Sequence, residues 1–494
     1  MKLSKMALAS AIAGLLSTGT AYAQIATDQR PAVQQTAYEY NNYYMQDTDE
    51  QAGAKERGVE GYDAAQPGAQ GEMAAPSPET PSFGNGNGTI LNPCCCLGEQ
   101  WKLVDLFPCA KCREINIAGW FAQSFTWNTS NPSDRFNGPV TWTDRSNDYQ
   151  VNQAYIYAEK LTDTKGCGWD FGWRTDIMGG TDYRFNTAAG LETRGYFQDP
   201  KWSTQRFYGV AWTQFYGEIA YNDLKVKVGH WYAPVGYEVV PTTGNFFPSL
   251  PYTFQYGEPF TMTGVLASYQ YNENVSFGGG VNHGWDNFSN NTNQHVGFVG
   301  FYTEKFKDGG SFAGAWTLGN EPTLAGAAAP NTFRYLQTLV YSRPLNRISE
   351  RLTYVAQSDF GSQDGVTANN TNAKWYGLNQ YLFYKASDCM TYGIRAEWFR
   401  DQDGARVGGF LGSTHQPYPN GSLRGLALER FGYAGSFYEI TLGANYKYSA
   451  NLMFRPYARF DWFSGTSPSA TLRPYDNGTG NSQTLIGFDA IYIY

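Results

Sequence analysis

The sequence is poor in charge. Only 16% of its 494 residues are Asp, Glu, Lys or Arg, where an ordinary soluble domain carries about 25%. The charge it has leans acidic, at a formal net of -8. That excludes a nucleic-acid partner, since phosphate binding needs a basic face. Histidine is scarce: His230, His283, His295 and His415 are the four, and no two have metal-ligand spacing within one element. No G-x-S-x-G elbow and no phosphate loop occurs. Gly278-Gly279-Gly280 lies in an extended stretch with no helix after it, so it is not a nucleotide loop. A glycosidase needs two facing carboxylates, and the sequence singles out no such pair. These absences argue against an enzyme and against a cofactor. Long hydrophobic runs are missing too. None reaches the roughly twenty residues a spanning helix needs. Residence in a membrane would then require a closed barrel.

What is abundant points the same way. Gly 55, Tyr 37, Phe 31 and Trp 14 stand out, and aromatics make up 17% of the chain. Aromatics favour strands.

The first residues read as an export signal. Lys2 and Lys5 precede a short apolar run over 6–16, and Ala21-Tyr22-Ala23 forms a small-x-small cleavage site, so the mature chain is expected to begin at Gln24. Residues 24–93 are rich in Gln, Ala, Gly, Pro and Asn without periodicity, which reads as a disordered periplasmic segment. Tyr38, Tyr40, Tyr43 and Tyr44 interrupt it. A cysteine-rich stretch, 94–112, follows, and 113–494 reads as the folded body.

Over that body, apolar and polar residues alternate with period two. Trp169, Phe171, Trp173, Thr175 and Ile177 stand against Asp170, Gly172, Arg174 and Asp176. Tyr438, Ile440 and Leu442 stand against Glu439, Thr441 and Gly443; Phe454, Ala458, Phe460 and Trp462 against Arg455, Tyr457, Arg459 and Asp461. Alternation suits a soluble sandwich as well as a membrane barrel, but connection lengths discriminate. Short connections fall at 161–166, 222–223, 272–274, 307–310, 344–347, 386–388 and 449–450. Long ones fall between them at 128–146, 179–205, 233–260, 284–294, 319–331, 359–372, 401–431 and 464–482. Outer-membrane barrels have short periplasmic turns at one rim and long outer loops at the other. Greek-key connections mix lengths. The fold expected is all-β, a transmembrane antiparallel up-and-down barrel of about sixteen strands with both ends periplasmic. Segments 332–342 and 375–385 alternate poorly, which leaves fourteen to eighteen strands open. The last segment places Ile486, Phe488, Ala490, Tyr492 and Tyr494 on one face. A terminal aromatic, Tyr494, resembles the signal read by barrel-assembly machinery.

Several blocks also resemble a known family. Asn131-Pro132-Ser133-Asp134-Arg135-Phe136-Asn137-Gly138-Pro139-Val140 and Val151-Asn152-Gln153-Ala154-Tyr155-Ile156-Tyr157-Ala158-Glu159-Lys160 come first. Later come Val228-Gly229-His230-Trp231-Tyr232-Ala233-Pro234-Val235-Gly236-Tyr237-Glu238 and Phe254-Gln255-Tyr256-Gly257-Glu258-Pro259-Phe260. Together they are similar to the OmpL-like β-barrel porins, common in planctomycetes, over roughly 113–494. The resemblance implies passive solute passage through a barrel and brings no catalytic residues.

The cysteines lie outside what the resemblance explains. Cys94, Cys95, Cys96, Cys109 and Cys112 cluster before the first strand, and Cys167 and Cys389 complete the seven. Disulfides suit an oxidising periplasm; a four-thiolate zinc site is the alternative. No His follows the C-x-x-C pair, so haem attachment is absent.

Candidate pore residues centre on the third long connection, 233–260. It carries no Lys or Arg, and Glu238 and Glu258 are its only charges. In general porins the corresponding loop folds inward, which is an analogy here. Lys225, Lys227, Arg174, Arg395, Arg455 and Arg459 would face it from the wall, and the opposed charges would set a transverse field. The plainer reading keeps the two glutamates in a surface loop and pairs the wall cations with Asp170, Asp176, Glu397 and Asp461. The expected function is passive diffusion of small hydrophilic solutes across the outer membrane of a diderm bacterium. Expected partners are outer-membrane lipid, the assembly machinery and further copies of the chain in a homo-oligomer such as a trimer. The alternative is a barrel serving as adhesin or envelope anchor with its lumen closed; a secreted soluble carbohydrate-binding β-protein is a further rival.

Overall fold

The computed structural model describes residues 97–193, 201–205, 207–289, 296–321, 332–366, 371–407, 432–467 and 472–494. The signal, the segment 24–93 and Cys94 to Cys96 lie outside them. The strands run β1 Asn116–Asn128, β2 Asp148–Lys160, β3 Trp169–Gly180, β4 Ser203–Gln205, β5 Tyr208–Tyr221 and β6 Leu224–Tyr232. Next come β7 Thr261–Gln270, β8 Val275–Asn282, β9 Gly297–Lys305, β10 Ser311–Glu321, β11 Thr332–Pro344 and β12 Leu352–Gln363. The last five are β13 Ala373–Lys385, β14 Met390–Asp401, β15 Ala434–Lys447, β16 Leu452–Thr466 and β17 Ser482–Ile493. The three-residue β4 pairs only with β5. The other sixteen pair each with its sequence neighbour, all antiparallel, and β1 pairs with β17 to close the ring. Closure leaves none of these sixteen strands with an unpaired edge, which a hydrocarbon environment requires.

Side chains alternate as the period-two pattern demands. On β16, Met453, Arg455, Tyr457, Arg459 and Asp461 are buried, while Pro456, Ala458 and Phe460 are exposed. On β3, Trp169, Phe171, Trp173 and Ile177 are exposed on the opposite face from buried Arg174 and Asp176. The exposed apolar face is the lipid face, and the buried face turns to the lumen. The two segments that alternate poorly in sequence, β11 and β13, alternate regularly in burial. Their sequences mislead because lumen-facing Leu336, Val340, Tyr381 and Phe383 are apolar, while lipid-facing Gln337 and Gln380 are polar.

Short turns gather at one rim. The chain enters there: the Ala450 amide donates to the Leu97 carbonyl at 2.8 Å. Asn451 brackets Trp101, its Oδ1 accepting from the Trp101 amide and its Nδ2 donating to the Trp101 carbonyl. A 3-10 turn, Leu103–Leu106, and a helical turn, Pro108–Lys111, then lead to β1. The first described residues and the last share this rim, since the Tyr494 amide donates to the Gly119 carbonyl at 2.9 Å.

Cys109, Cys112 and Cys167 are free and exposed, whereas Cys389 is disulfide-bonded. No three His, Cys, Asp or Glu side chains cluster as for a metal among the described residues. In intact protein under non-reducing conditions, Cys109, Cys112 and Cys167 should take up a membrane-impermeant maleimide, and Cys389 only after reduction. Mass spectrometry of the labelled peptides reads this; labelling of Cys389 without reductant would contradict the bond.

Gly361 faces Trp375 across the β12–β13 ladder, and a β-carbon there would overlap the Trp375 indole. Gly361→Val should therefore displace that indole and destabilise the barrel by about 1–3 kcal/mol. The expected readout is a lower temperature for the shift between folded and unfolded bands on a semi-native gel.

Candidate functional site

The connection 233–260 follows β6 and precedes β7, and its chemistry dictates where it goes. It is dense in aromatics and nearly free of charge, so it stabilises by burying apolar area. Tyr237, Phe246, Phe247, Tyr252, Phe254, Tyr256 and Phe260 are all buried. Three apolar clusters receive them, each shared with lumen-facing wall residues. Tyr237, Phe246 and Phe247 pack with Val340, Val355, Tyr381 and Phe383. Tyr252 and Tyr256 join Trp375, Phe399, Phe437 and Phe463. Phe254 and Phe260 stack at 4.3 Å and meet Trp142 of the first long loop edge-on. The loop thus folds into the barrel, where it meets the lumen face of β11–β16 and, through Val240, Leu250, Phe254 and Phe260, a cluster with Trp120, Tyr155 and Ile491 of β1, β2 and β17.

Its backbone is irregular, so its carbonyls need donors from elsewhere. Wall arginines supply them. Arg455 on β16 donates Nη1 to the Thr242 and Asn245 carbonyls, at 3.0 and 2.5 Å. Arg459 donates to the Leu250 carbonyl at 2.7 Å, and Arg395 on β14 to the Ser249 carbonyl at 2.9 Å. Gln153 on β2 donates to the Val240 carbonyl at 2.9 Å and accepts from the Thr242 amide at 3.1 Å. Carboxylates take the amides: Glu397 accepts from the Tyr252 amide at 2.8 Å and from the Thr253 amide and hydroxyl at 2.6 and 2.7 Å. Trp375 Nε1 donates to the Gly257 carbonyl at 3.1 Å. Arg406, beyond β14, donates to the Tyr256 carbonyl at 2.7 Å.

The two loop glutamates are both buried and meet different groups. Glu238 accepts from Arg395 Nη1 at 3.2 Å, and burial pushes its carboxyl up against the pull of that guanidinium. Arg395 also holds Glu439 at 2.7 Å, and Glu439 is bridged by Arg459 at 2.8 Å, which reaches Asp461 at 2.8 Å. Arg455 pairs with Asp489 on β17. Glu258 instead accepts from the Gln357 amide, which also donates to Asp359 at 2.8 Å.

Lys225, Lys227 and Arg174 form a separate group on β3 and β6. Arg174 pairs with Glu159 at 2.8 Å and with Asp176 at 2.7 Å. Lys227 lies over the Tyr216 ring at 4.4 Å, and Lys225 is 3.9 Å from Glu218. Of the candidates read from sequence, the structure brings Glu238 and Arg395 into contact, places Arg459 and Arg455 beside the same loop, and sets Lys225, Lys227 and Arg174 apart. It also adds the pairs of the plainer reading, Arg174–Asp176 and Arg459–Asp461, whose i, i+2 spacing puts both charges on one strand face. Sequence reasoning missed Gln153, Gln357, Glu439 and Asp489, and the first long loop as well. That loop carries buried Val140, Trp142 and Asp144, with Asp144 paired to Arg184 at 2.9 Å. The Asn-Gly-Pro-Val block beside it was the available signal.

Tyr494 closes the last strand at the rim, its hydroxyl donating to the Tyr155 carbonyl at 3.0 Å.

No match is found among curated proteins. Among solved structures the chain is similar to Pseudomonas putida OprB at high pH, with 11% identity over 78% of this chain and 96% of that one, at a TM-score of 0.47. It is similar to an anion-selective porin from Comamonas acidovorans, with 9% identity over 77% and 99%, at a TM-score of 0.45. It is also similar to Salmonella typhi OmpF in complex with daunomycin, with 14% identity over 77% and 97%, at a TM-score of 0.45. The family described as "Putative beta-barrel porin-2, OmpL-like" matches residues 114–494. That span takes in every barrel strand, and the chain belongs to this family of OmpL-like β-barrel porins of the outer membrane.

Proposed function

We propose that the protein is a non-catalytic channel whose partly filled lumen lets small hydrophilic solutes diffuse. The carrying observation is the seat of the 233–260 loop inside the barrel, hydrogen-bonded to β2 through Gln153 and to β12, β14 and β16 through Gln357, Arg395 and Arg459. It packs against β11–β16, where lumen-facing Arg395, Arg455 and Arg459 are essentially inaccessible. Elsewhere on the wall, lumen positions on β7–β9 and at the short-turn end of β11 keep partial exposure, among them Ser268, Ser276, Gly280, Thr303 and Ser342. They are small and uncharged, so a hydrated solute meets a smooth polar wall there. Lys225 and Glu218, on β6 and β5, retain 13% and 11% side-chain exposure beside it.

The leader 1–23 and the segment 24–93 complete this reading: the first would be removed on export and the second left in the periplasm. Entry of the described chain at the short-turn rim, beside Ala450 and Asn451, supports a periplasmic N-terminus.

A second reading has an observation of its own. Three apolar clusters inside the barrel, with Trp142 and Trp375 fully buried, suit a closed lumen and an anchoring role. Planar-bilayer recording separates the two. The channel reading expects discrete conductance steps from the purified barrel, and an anchor gives none.

Charge changes then locate the narrowest point. Replacing Lys225 and Lys227 by Glu should shift selectivity toward cations, and Glu238→Gln with Glu258→Gln should shift it toward anions. The second shift should be the smaller, because Arg395 already neutralises Glu238. Both should shrink at 1 M salt, where the Debye length is about 3 Å. Reversal potentials across a salt gradient measure this. Unchanged cation-to-anion ratios in a conducting channel would place the constriction elsewhere.

Arg395→Ala tests the loop's attachment. It leaves Glu439 and Glu238 buried without that cation, a loss on the order of 3–5 kcal/mol. The expected result is a larger, noisier conductance and a lower heat-shift temperature; conductance like the parent's would mean the loop does not narrow the path.

A further inference from the structure

Among the described residues the lipid-facing surface is mostly apolar, and on three adjacent strands polar side chains gather in it. On β11, Phe333, Tyr335, Gln337, Leu339 and Tyr341 face outward, against buried Arg334, Leu336, Thr338 and Val340. On β12 the outward row is Tyr354, Ala356, Ser358, Phe360 and Ser362. On β13 it is Tyr376, Leu378, Gln380, Leu382 and Tyr384. Gln337, Ser358 and Gln380 thus fall near the middles of three adjacent strands. Aromatic rings bracket them along the strands. Tyr335, Phe360 and Tyr376 lie toward the long-loop rim, Tyr341, Tyr354 and Tyr384 toward the short-turn rim. Such rings mark the two membrane interfaces, so the polar groups sit at hydrocarbon depth.

Each glutamine is half satisfied. The Tyr335 hydroxyl donates to Gln337 Oε1 at 3.0 Å, and the Tyr354 hydroxyl to Gln380 Oε1 at 3.1 Å. Neither Nε2 group has a hydrogen-bond acceptor among the described residues, and a primary amide carries two donors there. Lipid tails offer none, and an unmet donor in hydrocarbon is costly. The other lipid-side glutamine, Gln123 on β1, sits alone opposite Val151, near the long-loop end of β2, and takes the Tyr149 hydroxyl. It forms no comparable patch.

We propose that the outer face of β11–β13 is the contact surface between copies of this chain, with Gln337 and Gln380 hydrogen-bonded across the interface. A second copy fits because an amide is both donor and acceptor: the carbonyls, hydroxyls and amides of this same surface supply what Nε2 lacks. Ala356 and Ser358 on the central strand are small, which lets two walls approach closely, as small residues do at intramembrane contacts. Closed symmetric assemblies are the usual form for such self-complementary patches. The proposal needs only the barrel and its membrane setting, and stands whether or not the lumen conducts.

The test is photo-crosslinking in intact outer membranes, with p-benzoylphenylalanine at position 358 and, as control, at position 277 on the lipid face of β8. Position 358 should yield a band at twice the monomer mass, composed of peptides from this chain alone, and position 277 should not. Gln337→Leu with Gln380→Leu should lower that crosslinked fraction by about fivefold or more, while the heat-shift temperature of the monomer barrel stays unchanged or rises. Crosslinking at 358 only to lipid, or only to a different protein, would overturn the proposal. So would a double variant that still folds and crosslinks as the parent does.

Discussion

Hydrocarbon offers no partner to a backbone amide or carbonyl, and this constraint organises the whole molecule. Sixteen strands satisfy it only because β1 finds β17, with Trp120 opposite Ile493 and Asn128 opposite Leu485. Closure with an even number of strands returns the chain to the rim it left, so both ends of the barrel and every short turn share that rim. All long connections are thereby confined to the other side. A connection there can lie over the membrane or turn back into the only other volume available, the lumen.

The third long loop turns back, and doing so raises the same backbone problem a second time. Residues 233–260 form little regular structure, yet they lie inside a ring of side chains. The wall answers with guanidinium groups, which offer several donors in a fixed fork. Arg395, Arg455 and Arg459 each bond at least one loop carbonyl and at least one wall carboxylate. Lumen arginines therefore hold irregular backbone in place as well as carry charge. Breaking one partner of such a network leaves a buried charge, which is why the pairs couple the loop firmly to the wall.

The architecture was legible in the sequence where physics makes two faces chemically distinct. Trp169 to Ile177 and Leu452 to Trp462 announce their faces directly, and the alternation of short and long connections distinguishes barrel from sandwich. The family likeness in the Val228 to Glu238 block agrees with the matched span. Legibility failed where a face carries the other face's chemistry. β11 and β13 blur because Leu336 and Tyr381 meet the inserted loop, while Gln337 and Gln380 interrupt the lipid side. The contact of Glu238 with Arg395, 157 positions apart in sequence, depends on the loop's path, which no local pattern encodes. Gln153 and Gln357 were unreadable for the same reason.

The placement of charge bears on what such a channel would filter. A transverse field needs separated charges, but Glu238 touches Arg395, and Arg459 lies between Glu439 and Asp461. Pairs at contact distance present small dipoles to a passing ion, and their fields cancel within a few ångströms of water. Arg174 is likewise clasped by Glu159 and Asp176. Lys225 is bridged to Glu218 at the longer distance of 3.9 Å, and Lys227 lies over the Tyr216 ring at 4.4 Å. On the proposed path these groups stand beside a wall of Ser, Gly and Thr. Contact pairs of this kind leave the cross-section between loop and wall as the first constraint on a solute taking that path.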